Sequence, residues 1–284
     1  MKSINSCRML MILPAICLGF MFQVNTTRAE SQDFRMRISD IAAMENVTTS
    51  DVEVEINFGR EVAARILGRY KILDDPKLLR YVGLVGRAVS MSSNRPELDF
   101  KFAILDSPTV NAYAAPGGYV FVTQGAMKLM ADEAELAAVL AHEIAHTSQR
   151  HIVKELHLQG SEDAAQAGLA HLLGAIGDPT RVAFMQAVDQ AMDILFEKGY
   201  QREDEFEADQ VGEILLATTG YDSFAFKRYL EKAGQGEADR IKILSKTHPP
   251  FEERIAALNT LMVVEGLDQL RNPVVKERFD AQIR

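Results

Sequence analysis

Residues 142–146 read His-Glu-Ile-Ala-His, inside a run of helix-favouring residues. On a helix, residues four apart share a face, so His142 and His146 present two imidazoles about one turn apart. Two neutral imidazoles at that separation can hold one metal ion. Glu143 lies beside them without being a ligand, within reach of a water on that metal. The chemistry this spacing suggests is metal-assisted hydrolysis, with Glu143 as general base. Five residues can also recur by chance, so the rest of the chain has to supply the missing parts.

A catalytic zinc usually takes three protein ligands and keeps one position open. One solution places a third His shortly after the motif, as His-Glu-x-x-His-x-x-Gly-x-x-His. Here Gln149 stands where that Gly belongs and Ile152 where that His belongs, and His151 is one residue early, on another face of a continuous helix. The other solution draws a Glu from a later helix. The segment 202–209, Arg-Glu-Asp-Glu-Phe-Glu-Ala-Asp, offers one. Glu205 and Asp209 are four apart and share a face, which suits a ligand plus a carboxylate that fixes the tautomer of a ligand His. Glu207 points elsewhere. The competing reading of this acidic run is a solvated helix start.

Around these residues the chain has 284 residues, 47% apolar and 25% charged, enough for one catalytic core. Lys2 and Arg8 open a positive segment, Met9 to Phe22 is apolar, and Thr27-Arg28-Ala29 suits a signal peptidase. Residues 1–29 therefore read as a secretory signal peptide, with an uncleaved membrane anchor as the alternative. Both cysteines, Cys7 and Cys17, fall in this segment, so a metal site must be built from His and carboxylates. Removing the segment takes three positive residues and moves the formal charge from −9 to −12. So acidic a chain argues against nucleic acid as a partner, and a cysteine-free core behind a secretory segment suggests a bacterial periplasm.

Residues 30–50 read as a flexible lead-in and 51–284 as one domain. Apolar residues recur at helical spacing from Asp51, the expected N-cap, to Tyr70, and again from Lys77 to Met91 behind Asp75-Pro76. Strands are expected at Leu98–Leu105, Val110–Ala115 and Tyr119–Thr123, with Pro116-Gly117-Gly118 as a turn. One helix is expected from Asp132 to Leu156, then others over Arg181–Tyr200, Glu203–Ala217, Asp222–Gly234 and Phe251–Gly266. The fold class is α+β: mainly helical, with a small sheet whose edge strand borders the His-Glu helix. The Gly- and Ala-rich span Gln159 to Thr180 lies between the ligand-bearing helices and is expected to act as a lid or as a packing insert.

Four stretches carry a family resemblance: residues 111–122 (Asn-Ala-Tyr-Ala-Ala-Pro-Gly-Gly-Tyr-Val-Phe-Val), His142 to His151, Glu205 to Asp209, and Thr247-His248-Pro249-Pro250 with Arg254. Together they resemble the zinc metallopeptidases of the HtpX, Oma1, BepA and CAAX-prenyl-protease family, gluzincins with a zincin-type domain. The likeness is closest to small periplasmic BepA-like members, without their tetratricopeptide repeats. The resemblance implies one zinc per chain on His142, His146 and Glu205. It implies catalytic roles for Glu143 as base, Asp209 as orienter or proton donor, and Arg254 near the cleft. His248 would be a fourth ligand that holds the enzyme latent, or a donor to the transition state. An open strand edge at Asn111 to Ala114, or at Tyr119 to Val122, would bind extended substrate through Asn111, Ala112, Tyr113, Gly118 and Tyr119. Implied partners are unfolded or misassembled exported polypeptides, with a peripheral or outer-membrane assembly contact. The implied function is a metalloendopeptidase of envelope quality control, and the alternative is a mostly latent zinc-bound chaperone or binding module gated by His248. His157 and His171 read as ordinary surface residues.

Overall fold

The His-Glu helix is the element on which the others pack. The computed structural model describes residues 47–158, 179–236 and 238–283. Helices α1 (Thr49–Arg69) and α2 (Pro76–Ser90) precede strands β1 (Lys101–Leu105), β2 (Ala112–Ala115) and β3 (Tyr119–Thr123). Helices α3 (Gln124–Leu129), α4 (Glu133–Ser148) and α5 (His151–Glu155) follow. Next come α6 (Pro179–Asp193), α7 (Arg202–Thr219), α8 (Ala225–Gly234), α9 (Ala238–Thr247), α10 (Phe251–Val264) and α11 (Lys276–Ile283). The expected signal peptide, residues 30–46 of the lead-in, residues 159–178 of the lid span and His171 lie outside the described residues. Among the described residues no helix is long and apolar enough to cross a membrane.

The α+β expectation holds. The sheet has the order β1-β3-β2, with β1 parallel and β2 antiparallel to β3. Side chains alternate across a strand, so Val120 and Val122 join the apolar cluster around α4. Phe121 joins a second cluster with Phe58, Phe184, Tyr113 and Phe196 between α1 and α6. Because β3 is central, its edges are taken by Tyr119 pairing with Lys101 on one side and Ala115 on the other. The expectation of an open edge at Tyr119 to Val122 is therefore corrected: the free edge nearest the His-Glu helix belongs to β2.

Every residue of α4 is buried. A helix buried all round needs partners on all sides; α2, α7, α8 and the sheet supply them. Its start is held twice. Asp132 caps it, its side chain accepting the Glu135 N–H at 3.0 Å. Glu133 accepts hydroxyl protons from Tyr81 at 2.8 Å and Tyr221 at 2.7 Å, and the Arg278 guanidinium grips both its oxygens.

Of the boundaries that differ from the sequence pattern, three bear on the packing. The cap of α1 is Thr48, and Asp51 is its capping-box partner three residues on. Helix α6 ends at Asp193 and passes into a π-helical turn over Ile194–Lys198 before Gly199. The helix expected to run unbroken to Leu156 stops at Ser148, and Arg150 adopts a left-handed conformation (φ 59°). Such a backbone costs a non-glycine residue on the order of 1–3 kcal/mol and persists only where contacts impose it. Here they come from α1. Buried Glu55 accepts from Arg150 Nε at 3.1 Å, from Arg95 Nη2 at 3.0 Å and Nη1 at 3.3 Å, and from the Gly117 N–H at 3.2 Å. One carboxylate thus ties α1, the Pro116–Gly118 turn and the end of α4 together.

Removing one member of a buried ionic cluster leaves the others uncompensated, a loss of about 3–5 kcal/mol. Glu55→Ala is expected to lower the urea unfolding midpoint accordingly at an unchanged slope; a midpoint equal to wild type would contradict this role.

Candidate active site

Helix α4 aims His142 and His146 at α7. The two helices approach closely at Gly212, where an added Cβ would stand 3.0 Å from both Cα and N of His142. That contact carries Glu205 to the imidazoles. Glu205 Oε2 is 3.7 Å from His142 Nε2, Glu205 Oε1 is 3.6 Å from His146 Nε2, and the two Nε2 atoms are 3.1 Å apart. Ligand atoms of these three residues all lie within 4.8 Å of one another. The third ligand expected from the later helix is thus brought to the pair, and the solvated-helix reading of Glu205 falls: its side chain is 0% exposed.

The donor set fits a divalent cation. Neither oxygen of Glu205 has a hydrogen-bond partner, although both are buried. A buried carboxylate is expensive unless paired with positive charge. Burial pushes the Glu205 carboxyl well above the usual carboxylate range, partly opposed by Arg254. Burial and the Arg254 charge lower His142, and burial together with His142 lowers His146 further, so both rings are neutral. Neutral imidazole is the form that ligates. Nitrogen ligands at about 2.0–2.1 Å from a tetrahedral zinc stand roughly 3.4 Å apart, close to the spacing observed.

Each tautomer can be assigned from its partner. Asp209 Oδ1 is 3.0 Å from His142 Nδ1; a carboxylate only accepts, so Nδ1 carries the proton and Nε2 is bare. Asp209 is itself gripped by Arg254, through Nε to Oδ2 at 2.9 Å and Nη2 to Oδ1 at 2.5 Å. Burial alone would raise the Asp209 carboxyl, but Arg254 and His142 hold it at about 2. An anion so engaged, hydrogen-bonded to His142 Nδ1, favours the orienting role of the two expected. Arg254 is 1% exposed, packed over the Phe226 ring and 3.9 Å from Glu205. It is held by Asp209 and is not the exposed charge that its place near a helix start would allow.

Glu143 is buried beside the pair, and burial, partly opposed by Arg254, pushes its carboxyl up to about 8. His248, just beyond α9, reaches the same point: its Nε2 is 3.7 Å from Glu205 Oε2. Its Nδ1 lies 3.2 Å from the Leu244 carbonyl, which only accepts, so the bare Nε2 faces the ligand set. The segment carrying it is brought in by Gly199, where a Cβ would stand 1.9 Å from the Thr247 carbonyl.

A cleft over these groups is lined by Ala112, Tyr113, Glu143, His146, Tyr200 and His248 among others. Of the expected substrate contacts, Ala112 and Tyr113 are there, on the free edge of β2. Asn111 is buried against Thr123, which receives and gives backbone hydrogen bonds with it. Gly118 packs on Phe100 and Tyr119 starts the central strand; neither lines this cleft. Three residues at the site were given no role by the sequence. Tyr200 stacks on His146 with ring centres 4.1 Å apart, Phe226 stacks on His142 at 5.2 Å, and His151 meets His146 edge-on. The break at Arg150 is what turns His151 back toward His146, correcting its assignment to another face. His157, in contrast, is exposed as expected.

Two neutral imidazoles one turn apart, a buried carboxylate from a second helix and a glutamate base beside them define the metallopeptidase class of site. Residues 76–262 match peptidase family M48, and the chain belongs to that family. It is 27% identical over 267 residues to the beta-barrel assembly-enhancing protease of Escherichia coli K12, covering 86% of this chain and 50% of that one. A Vibrio cholerae protein given that name provisionally is 31% identical over 237 residues, covering 80% of this chain and 48% of its own length. The mitochondrial metalloendopeptidase OMA1 of Arabidopsis thaliana is 27% identical over 195 residues, covering 69% and 38%. The chain spans about half the length, or less, of these relatives.

Losing an orienting partner typically costs a metal site 10–100-fold in affinity. Asp209→Ala is expected to weaken metal binding by about that factor, read by competition with a chromogenic chelator; wild-type affinity would refute the orienting role.

Proposed function

We propose that this chain is a zinc metalloendopeptidase that cleaves exported or envelope proteins and serves protein quality control there. The observation that carries the reading is the convergence of His142, His146 and Glu205 on one point, with Glu143 buried alongside and not among the ligands. A site that only stabilised the fold would leave Glu143 without a task. His and carboxylate donors suit zinc, which when bound supplies the Lewis acidity that activates water and polarises a scissile carbonyl.

Glu143 takes the proton of the attacking water and delivers it to the departing amine nitrogen. Its raised carboxyl suits both halves of that task. Ala112 and Tyr113 present the free edge of β2, to which an extended segment adds by backbone hydrogen bonds. Such an addition displaces the Tyr200 hydroxyl, which now donates to the Ala114 carbonyl at 3.5 Å. Backbone reading favours unfolded or misassembled polypeptides over one sequence. The names of the beta-barrel assembly-enhancing relatives support a setting in the cell envelope, as does the apolar, positively started segment at residues 1–29. A peripheral contact with outer-membrane assembly belongs to the same reading.

Glu143→Gln is expected to keep stoichiometric zinc and lose casein hydrolysis by at least about 100-fold, the scale of general-base catalysis; wild-type turnover in the purified variant would remove Glu143 from the mechanism. The bare Nε2 of His248 supports a second element, a gate that holds the enzyme latent. His248→Ala is expected to raise proteolysis. Unchanged proteolysis with retained binding of an unfolded client would favour a zinc-bound chaperone or binding module instead.

A further inference from the structure

Helix α7 carries carboxylates at 205, 207 and 209. The first faces the ligand point and the last holds His142. Glu207 has no part in the mechanism above, and neither does His151, although His151 is buried and touches a ligand ring. Its Nδ1 is 2.8 Å from His146 Nδ1, and its Nε2 is 3.2 Å from Glu207 Oε2.

The direction of these hydrogen bonds follows from what each group can do. Glu207 accepts, so His151 Nε2 carries a hydrogen. With its hydrogen on Nε2, His151 presents Nδ1 as the acceptor for the Nδ1–H of His146. That leaves His146 Nε2 bare and pointed at His142 Nε2 and Glu205. The opposite arrangement puts a hydrogen on His146 Nε2 and removes it from the donor set. Tyr200, stacked on His146 at an interplanar angle of 16°, fixes the plane of the ring.

We propose that His151 and Glu207 are positioning residues for the candidate metal centre. Together they set the tautomer and aim of His146, as Asp209 with Arg254 does for His142. The proposal rests on the metallopeptidase reading and extends it. One helix would then supply the third ligand and the terminal carboxylate behind each imidazole.

His151, Glu207 and Asp204 also offer ligand atoms within 4.8 Å of one another, the geometry of a second cation site. The two roles exclude each other. A cation on His151 Nε2 would move the hydrogen to His151 Nδ1, aimed at His146 Nδ1, and force His146 into the non-ligating form. The unbroken chain of contacts from Glu207 to His146 favours positioning.

The test is zinc affinity by chelator competition on the full chain, alongside casein kinetics and a thermal melt of the metal-free protein. His151→Leu is expected to weaken zinc binding about 10–100-fold, with KM unchanged and turnover recovering as zinc is raised. His151→Asn places an oxygen near the lost Nδ1 and is expected to restore most of the affinity. Glu207 is partly exposed, so Glu207→Ala keeps the fold even if His151→Leu does not, and it is expected to weaken binding in the same direction. Wild-type affinity in Glu207→Ala, or Asn performing no better than Leu in folded protein, would overturn the proposal. So would a second zinc in wild type that His151→Leu loses without change at the first. A wild-type chain that binds no zinc would overturn the metallopeptidase reading as well, told apart because no affinities remain to compare.

Discussion

A carboxylate sealed from solvent with no donor on either oxygen is the constraint around which this protein is arranged. Glu205 sits in that position opposite two bare imidazole nitrogens. Negative charge and lone pairs converge there, and such an arrangement costs several kcal/mol unless a cation offsets it. Arg254 does not suffice, since its fork is engaged by Asp209 and it approaches Glu205 only at 3.9 Å. The close approach of α4 and α7 at Gly212 holds these groups together.

The surroundings limit how the ligands can move or titrate. Burial keeps His142 and His146 neutral, and aromatic rings lie flat against each, Phe226 on one and Tyr200 on the other. Asp209 is ionised because Arg254 travels with it; without that guanidinium the same burial would favour its neutral form. Positive charge placed one residue back from the ligands thus sets which form of Asp209 exists and, through it, which nitrogen of His142 is free. Among the described residues no ion pair holds Glu143, and burial raises its carboxyl.

Access to this point is set by topology. Since β3 is paired on both sides, β2 is the strand that borders the cleft, with the Tyr200 hydroxyl on its Ala114 carbonyl. His248 lines the same cleft, its segment packed on the π-helical turn at Ile194–Lys198 and the bare backbone of Gly199. Irregular helix of this kind often marks functional positions. Tyr200 and His248 thus both border the cleft over the His142–His146 pair.

Local chemistry was legible from the residue order alone: two His four apart, the glutamate between them, a Glu and an Asp four apart on a later helix, and helices flanking a short sheet. All of these depend on helical or strand periodicity, which neighbouring residues determine among themselves. What Arg254 grips, where His151 and Glu207 meet, and how Tyr119 is paired were not legible, because each depends on a partner far along the chain. Arg150 takes a left-handed turn only because Glu55, 95 residues away, holds its guanidinium, and that turn decides where His151 points. Arg254 is buried because α10 lies beside α7, and Tyr119 is central because β1 reaches it in parallel from before β2. Periodicity places a side chain on a face; only packing decides what that face meets, since the energy of the contact belongs to both partners at once.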